Sequence, residues 1–288
     1  MELFQYPYMQ RALIGALVIG LAAPALGIYL VQRRLALIGD GVGHVALTGV
    51  GAGLLLNRSP VLVAVVVATV GAITIELVRA RGRTSGDLAL ALLFYGGIAG
   101  GVMLVGLSDS TSANLNAYLF GSLTTISPGD LITIAVLGAA ILVAMLALRP
   151  ALFAVCHDEE YARVSGLPVR TLNMLLAVAT AVTVTIAMRA VGVLLISALM
   201  VVPVATAQQV TRGFRSTMAA AMALGLFAAG SGVWVAANAD TAPGASVVLM
   251  AIASFGVVAL LGAAWRVLRR RRTPAAAPAP EPHEVVLR

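Results

Sequence analysis

Long apolar runs, each close to the length of a membrane crossing and each closed by a polar or arginine-bearing break, pattern most of this chain. They cover approximately residues 13–31, 35–56, 61–78, 88–107 and 131–148, and, after a polar interval, 172–188, 191–207, 218–237 and 245–267. A hydrocarbon core about 30 Å thick takes about 20 residues of helix, so the pattern predicts an all-α polytopic transmembrane bundle of about eight or nine spans. The short break at Arg189 leaves the count open by about one, and broken or re-entrant segments fit the same pattern.

Composition agrees with this class. Of 288 residues, 60% are hydrophobic and 11% charged, far from the usage of a soluble domain. The first run lacks a basic leader and is as long as a span, so it is expected to remain as the first transmembrane helix. All 19 basic residues are arginine. Without lysine the chain cannot form the Gly-Lys-Ser/Thr element of a phosphate-binding loop, so an ATP-driven step needs another subunit. The net charge of +7 sits in short flanks between apolar runs, which reports membrane orientation rather than a nucleic-acid surface.

Placing the first run outside to inside puts Arg33, Arg34, Arg79, Arg81, Arg83, Arg149, Arg163, Arg170, Arg212, Arg215 and the 266–272 cluster in the cytoplasm, with Arg11, Arg58 and Arg189 opposed. The positive-inside rule then gives an external N-terminus and a cytoplasmic C-terminus. Residues 1–272 form the membrane domain; 273–288, rich in Pro and Ala, are expected to be a disordered cytoplasmic tail in which His283 is no ligand. The lone cysteine, Cys156, excludes an intrachain disulfide or a cysteine metal cluster.

Ionisable groups inside apolar runs are costly, at least about 2.5 kcal/mol each, and so mark function. Asp40 and His44 stand four residues apart within 35–56, hence on one helix face, where a carboxylate and an imidazole can grip one ion. If Arg33 and Arg34 mark the membrane surface, His44 lies roughly 15 Å deeper. The alternative is a pair that satisfies itself across a helix interface. Glu76, three residues before Arg79, reads as an interfacial ion pair. Asp87, Asp109, Asp130 and Asp240 fall at segment ends as caps or in solvated loops, and Asn114 and Asn116 are ambiguous.

Residues 156–170, CHDEEYARVSGLPVR, form the longest internal polar interval. The composition predicts a short helix favoured at its start by Asp158, Glu159 and Glu160 and ended by Gly166, with Pro168 opening the next segment. It is either a docking surface for a cytoplasmic partner or a solvated loop. The glycines around the Asp/His pair, Gly39, Gly41, Gly43, Gly49, Gly51 and Gly53, and Pro203 suit a translocation path and ordinary helix packing alike.

Four stretches in order, GDGVGHVALTGVGAGLLL, AYLFGSLTTISPGDL, VSGLPVRTLNMLLAVATAVTVTIAMRAVGVLLISALMVVPVATA and DTAPGASVVL, resemble the metal-ion permeases of ABC importers for zinc, manganese and iron. The resemblance implies a homodimeric permease in the inner (plasma) membrane of a prokaryote. It further implies docking to cytoplasmic ATP-binding subunits and supply by an extracytoplasmic metal-binding protein. In that family the Asp-x-x-x-His element lines the ion path, which matches Asp40 and His44. The ATPase-coupling loop matches Tyr161, Ala162, Arg163, Val164, Ser165, Gly166 and Leu167. The AMRAVG element and the helix after it make Arg189 and Pro203 gate candidates. The chain departs from a common family form in having Gly43 before His44 and Thr48-Gly49 after it.

The expectation is a transport subunit, not an enzyme, with no permanently bound cofactor. Its cargo would be a divalent metal, zinc before manganese or iron, and ATP would be used by the partner. A proton-coupled secondary transporter with Asp40 as proton carrier is the main rival. An intramembrane metalloenzyme is disfavoured, because no HExxH occurs and only three histidines exist.

Overall fold

A computed structural model describes residues 6–80, 86–108, 112–122, 126–193 and 195–272. The described residues form α1 (Pro7–Gln32), α2 (Ile38–Leu55), α3 (Pro60–Ala80), α4 (Gly86–Leu107), α5 (Ser112–Phe120) and α6 (Pro128–Ala147). They continue as α7 (Arg149–His157), α8 (Glu159–Val164), α9 (Val169–Ala187), α10 (Ile196–Val210), α11 (Phe214–Ala239) and α12 (Pro243–Arg272). Each apolar run has become a helix. Eight are long and apolar enough to cross a membrane, and α10, at 15 residues, is the shorter ninth. At 1.5 Å per residue it spans only about 22 Å, which is why the break at Arg189 blurred the count.

Local chemistry sets the helix ends. Proline stands in the first turn of α1, α3, α6, α7 and α12, where its missing N–H costs nothing. Ser127 and Asp130 close a reciprocal capping box on α6. Four of the described helices end on a left-handed residue whose neighbours bond back to the last turn: Arg34 after α1 (φ 59°), Asn57 after α2 (φ 49°), Gly166 after α8 (φ 80°) and Asp240 after α11 (φ 50°). The polar interval differs from expectation in one respect. A helix, α7, continues from Arg149 to His157, and the chain kinks at Asp158, whose carboxylate accepts from the Tyr161 N–H to start α8.

Helix directions follow from which residues meet. Gly20 faces Gly225 while Tyr29 faces Phe214, so α1 and α11 are antiparallel. Gly15 meets Ile134, and the Tyr29 hydroxyl donates to the Met145 carbonyl at 2.8 Å, so α6 runs parallel to α1. Glycines 49 and 53 of α2 press on Ala64 and Pro60 of α3, an antiparallel hairpin. Gly41 meets Leu90 while Gly51 meets Leu104, so α4 runs parallel to α2. Gly232 meets Val247 in the α11–α12 hairpin, which makes α12 parallel to α1. The first and last spans therefore run the same way, so the start of α1 and the end of α12 lie on opposite faces.

α1, α2 and α9 are the most enclosed spans; α3, α4, α6 and α12 lie outside them. The outer helices turn large apolar side chains outward, such as Leu62, Val66 and Val70 on α3 and Leu249, Ile252 and Leu260 on α12. Large apolar side chains face outward because the surroundings are hydrocarbon, while glycines let the backbones approach inside, beside large buried side chains such as Leu26, Tyr29 and Met200. The threonines buried in α9, at 180, 183 and 185, each donate back to the carbonyl four residues earlier, which leaves no hydroxyl unsatisfied there. The tail 273–288 and Asp109 lie outside the described residues.

Candidate functional site

Asp40 stands in the first turn of α2, near the positive end of the helix dipole, and His44 stacks one turn further on. The stripe they form is flanked on both sides. Gly39 and Gly43 meet Ser197 and Val193 from α10 and the turn before it, while Gly41 meets Leu90 of α4, and the His44 backbone meets Gly97 of the same helix. The pair thus faces the seam between α4 and the entry to α10. Depth can be read from the neighbours. Gly43 touches Val184, eleven residues along α9 from Asn173, and Gly71 touches Val45 eight residues before Arg79. At 1.5 Å per residue this sets the pair roughly 12–16 Å from the arginine-bearing face, close to the figure read from the sequence.

The His44 ring is 8% exposed and packs against the edge of Phe94, with centroids 4.4 Å apart and planes at 77°. Its Nδ1 has no hydrogen-bond partner, and neither has the buried Ser197 Oγ. The Thr48 hydroxyl donates to the Gly97 carbonyl at 2.8 Å and ties α2 to α4 one turn beyond His44. Among the described residues, no three His, Cys, Asp or Glu side chains gather as a ligand set. Asp40 and His44 thus stand without a third such side chain among the described residues; two donors of these types could ligate a divalent cation only loosely, not as a closed structural centre. Phe94, Gly97 and Ser197 were not singled out from the sequence, since nothing in their spacing ties them to α2.

The remaining candidates divide between the two faces. On the face opposite the arginines, Arg189 pairs with Asp130 at 3.3 Å, and its guanidinium carbon lies 5.6 Å from the Tyr118 ring centroid. The Ser122 N–H donates to the Arg189 carbonyl and the Val193 N–H to the Tyr118 carbonyl, so α5 is stitched to the α9–α10 turn. Asp130 is thus both a cap and an ion-pair partner. Pro203 is buried inside α10. Asp240 ends α11 in the left-handed region, and Asn116 is an exposed residue of α5.

On the arginine face, Glu76 and Arg79 make two hydrogen bonds, at 2.9 and 3.0 Å, as their spacing indicated. Tyr161 to Val164 belong to α8, and Ser165 to Leu167 form its cap. Tyr161 and Val164 are 66% and 88% exposed, while Ala162 is buried against the bundle. Beside α8 a cleft of about 710 Å³ opens between α3 and α9, with Glu76, Glu159, Arg163, Arg170 and Asn173 on its walls. Arg33 reaches this cluster from the end of α1, donating to Asn173 Oδ1 at 2.6 Å and to Glu159 at 3.1 Å. Burial and then the like charge of Arg79 pull its pKa below the ordinary arginine value. Burial pushes the neighbouring Cys156 thiol up to about 11.

The chain is similar to membrane components of metal transport systems. It is 29% identical over 270 residues to the manganese transport system membrane protein MntC of Halalkalibacterium halodurans, covering 93% of this chain and 92% of that protein. It is 31% identical over 238 residues to the high-affinity zinc uptake system membrane protein ZnuB of Haemophilus influenzae, covering 83% and 91%. Among solved structures, PsaBC from Streptococcus pneumoniae in complex with Fab superimposes with a TM-score of 0.80 at 29% identity, covering 93% of this chain and 97% of that one. The family model described as the ABC 3 transport family matches residues 5–262. With that match over most of its length, this multi-pass membrane protein belongs to the ABC 3 transport family, as a metal transport permease.

Proposed function

We propose that this chain imports a divalent metal cation, with zinc as first choice, and that Asp40 and His44 take the ion transiently on its way through the membrane. The observation that carries the reading is the buried His44 imidazole with no partner on Nδ1, one turn from Asp40 on the same face. A polar ring left unsatisfied in an apolar seam is costly, and an arriving cation relieves that cost. A site of only two side chains also keeps affinity modest, so the ion can leave. Zinc is favoured by the imidazole; the relatives include both a manganese and a zinc system, and the ligand chemistry of the two ions overlaps.

In this reading the arginine face is cytoplasmic, and the N-terminus is external. The exposed Tyr161 and Val164 on α8 dock cytoplasmic ATP-binding subunits, and an extracytoplasmic protein delivers the metal to the face carrying Arg189 and Asp130. The Arg189–Asp130 pair and α10, which carries Pro203, form the gate. Two copies of the chain make the permease, and the tail 273–288 is a cytoplasmic extension. The test is ATP-dependent uptake of zinc and of manganese by vesicles holding the permease, its ATPase and its binding protein. Asp40→Ala and His44→Ala should each reduce uptake at least about tenfold while the complex still assembles. Unchanged uptake in both variants would make the pair structural. Uptake that persists without ATPase but collapses with an uncoupler would replace the ATP-driven reading by proton coupling.

A further inference from the structure

We infer that Arg33 is the mechanical link between α8 and the metal-bearing helix α2, a positioning residue that transmits movement of the docking helix to Asp40 and His44. The inference rests on the proposed roles of α8 and of that pair.

Three observations meet at this residue. First, Arg33 joins elements far apart in sequence: its guanidinium is shared between Glu159, the first residue of α8, and Asn173 on α9. Its side chain is 7% exposed, so these bonds are shielded from water and hold it as a clamp rather than a loose surface pair. Second, the connection from Arg33 to α2 is short and stiff. Only residues 33–37 separate the two helices, and the Leu35 N–H bonds the Leu30 carbonyl while Arg34 sits at φ 59°, a conformation that disfavours any residue but glycine or asparagine. A displacement of Arg33 therefore carries the start of α2 with it. Third, Asp40 is in the first turn of α2, so the moved end is the end that bears the ligand. The nearby Glu76–Arg79 pair makes equally short bonds but lies wholly within α3 and links nothing to α2.

The consequence is specific. Cutting the clamp should leave docking and ATP hydrolysis in place but disconnect them from transport. The experiment reconstitutes the permease with its ATPase and binding protein and measures ATP hydrolysed per zinc or manganese ion imported. Arg33→Gln keeps a donor for Asn173 and removes the charge that ties Glu159 to the end of α1, leaving only Arg163 of α8 itself beside Glu159 at 3.3 Å; it should retain ATPase activity and raise ATP consumed per ion about tenfold. Glu159→Gln should do the same, the double variant should be no worse than either alone, and Arg33→Lys should recover part of the coupling. If Arg33→Gln does not assemble, Glu159→Gln decides alone, because its side chain is 40% exposed. A wild-type ratio in the deciding variant, or ATPase and uptake falling together, overturns the inference. The two readings separate cleanly. Uncoupling by Arg33→Gln with Asp40→Ala still importing sinks the metal-site reading and removes that pair as the target of the clamp, and normal coupling in Arg33→Gln with Asp40→Ala inactive sinks only this inference.

Discussion

A single unpartnered nitrogen on His44 carries most of the functional weight at the residue scale. Only neutral imidazole binds a metal, so protonation removes the ligand, and uptake should fall as the medium is acidified. Initial uptake rates from pH 8 to pH 5, at constant ATPase activity, check this; a flat profile would mean that His44 does not ligate during transport. Cys156 provides an independent residue-scale check of the arginine-face cluster. With its thiol pushed up to about 11, the thiolate fraction at pH 8 is on the order of a thousandth, so alkylation by iodoacetamide should be slow at pH 8 and accelerate only toward pH 10–11. Because the chain has one cysteine, mass spectrometry reads the result directly. The Asp40–His44 spacing was visible before folding, since a four-residue interval fixes a shared helix face. Phe94 against the ring was not, because α2 and α4 meet only through the tertiary contact.

Between elements, the α2–α4 contact decides how closely the site is held. A methyl carbon at position 97 would lie 2.5 Å from the His44 carbonyl carbon, so Gly97→Val must push the two helices apart at the metal pair. Overpacking of this kind costs about 1–3 kcal/mol, and the displaced helix carries the ligands. Thermal unfolding in detergent should show a lower midpoint and uptake should drop with it, whereas Gly106→Val, at an open position of α4, should leave both nearly unchanged. The glycines of α2 looked ambiguous as a sequence pattern, equally fit for a path or for packing. Their neighbours resolve most of them as packing: Gly49 and Gly53 seat α3, and Gly51 seats α4. Helices α5 and α7 were not anticipated, because short polar-flanked helices have too few apolar positions to display a period.

Over the whole molecule, the parallel course of α1 and α12 sets the start of α1 and the end of α12 on opposite faces, but the side proposed to face the cytoplasm follows from arginine placement. With Cys156 replaced by alanine, a cysteine at the exposed Ser59, between α2 and α3, should react with an impermeant maleimide added to intact cells. One at Arg212, between α10 and α11, should react only after permeabilisation. The reverse result would invert the bundle and make the arginine cluster external. The same architecture explains why function collects at two levels of the bundle. In the proposed reading the metal pair uses an enclosed seam, and α8 uses the exposed face where a soluble partner can reach it.

Span number, helical class and the position of the Asp/His pair were legible along the chain, because each depends on local length, hydropathy and a helical period. Even the ion pair of Glu76 and Arg79 was readable, being three residues apart on one helix. Contacts between distant segments were not. That Arg33 clasps Glu159 and Asn173, that Asp130 answers Arg189, and that His44 rests on Phe94 with a free Nδ1 depend on which helices lie side by side. In hydrocarbon nearly every helix face is apolar, so hydrophobic pattern does not say which face meets which neighbour. Close fit of small residues and the need to satisfy each buried polar group make that choice, and both exist only in the folded bundle.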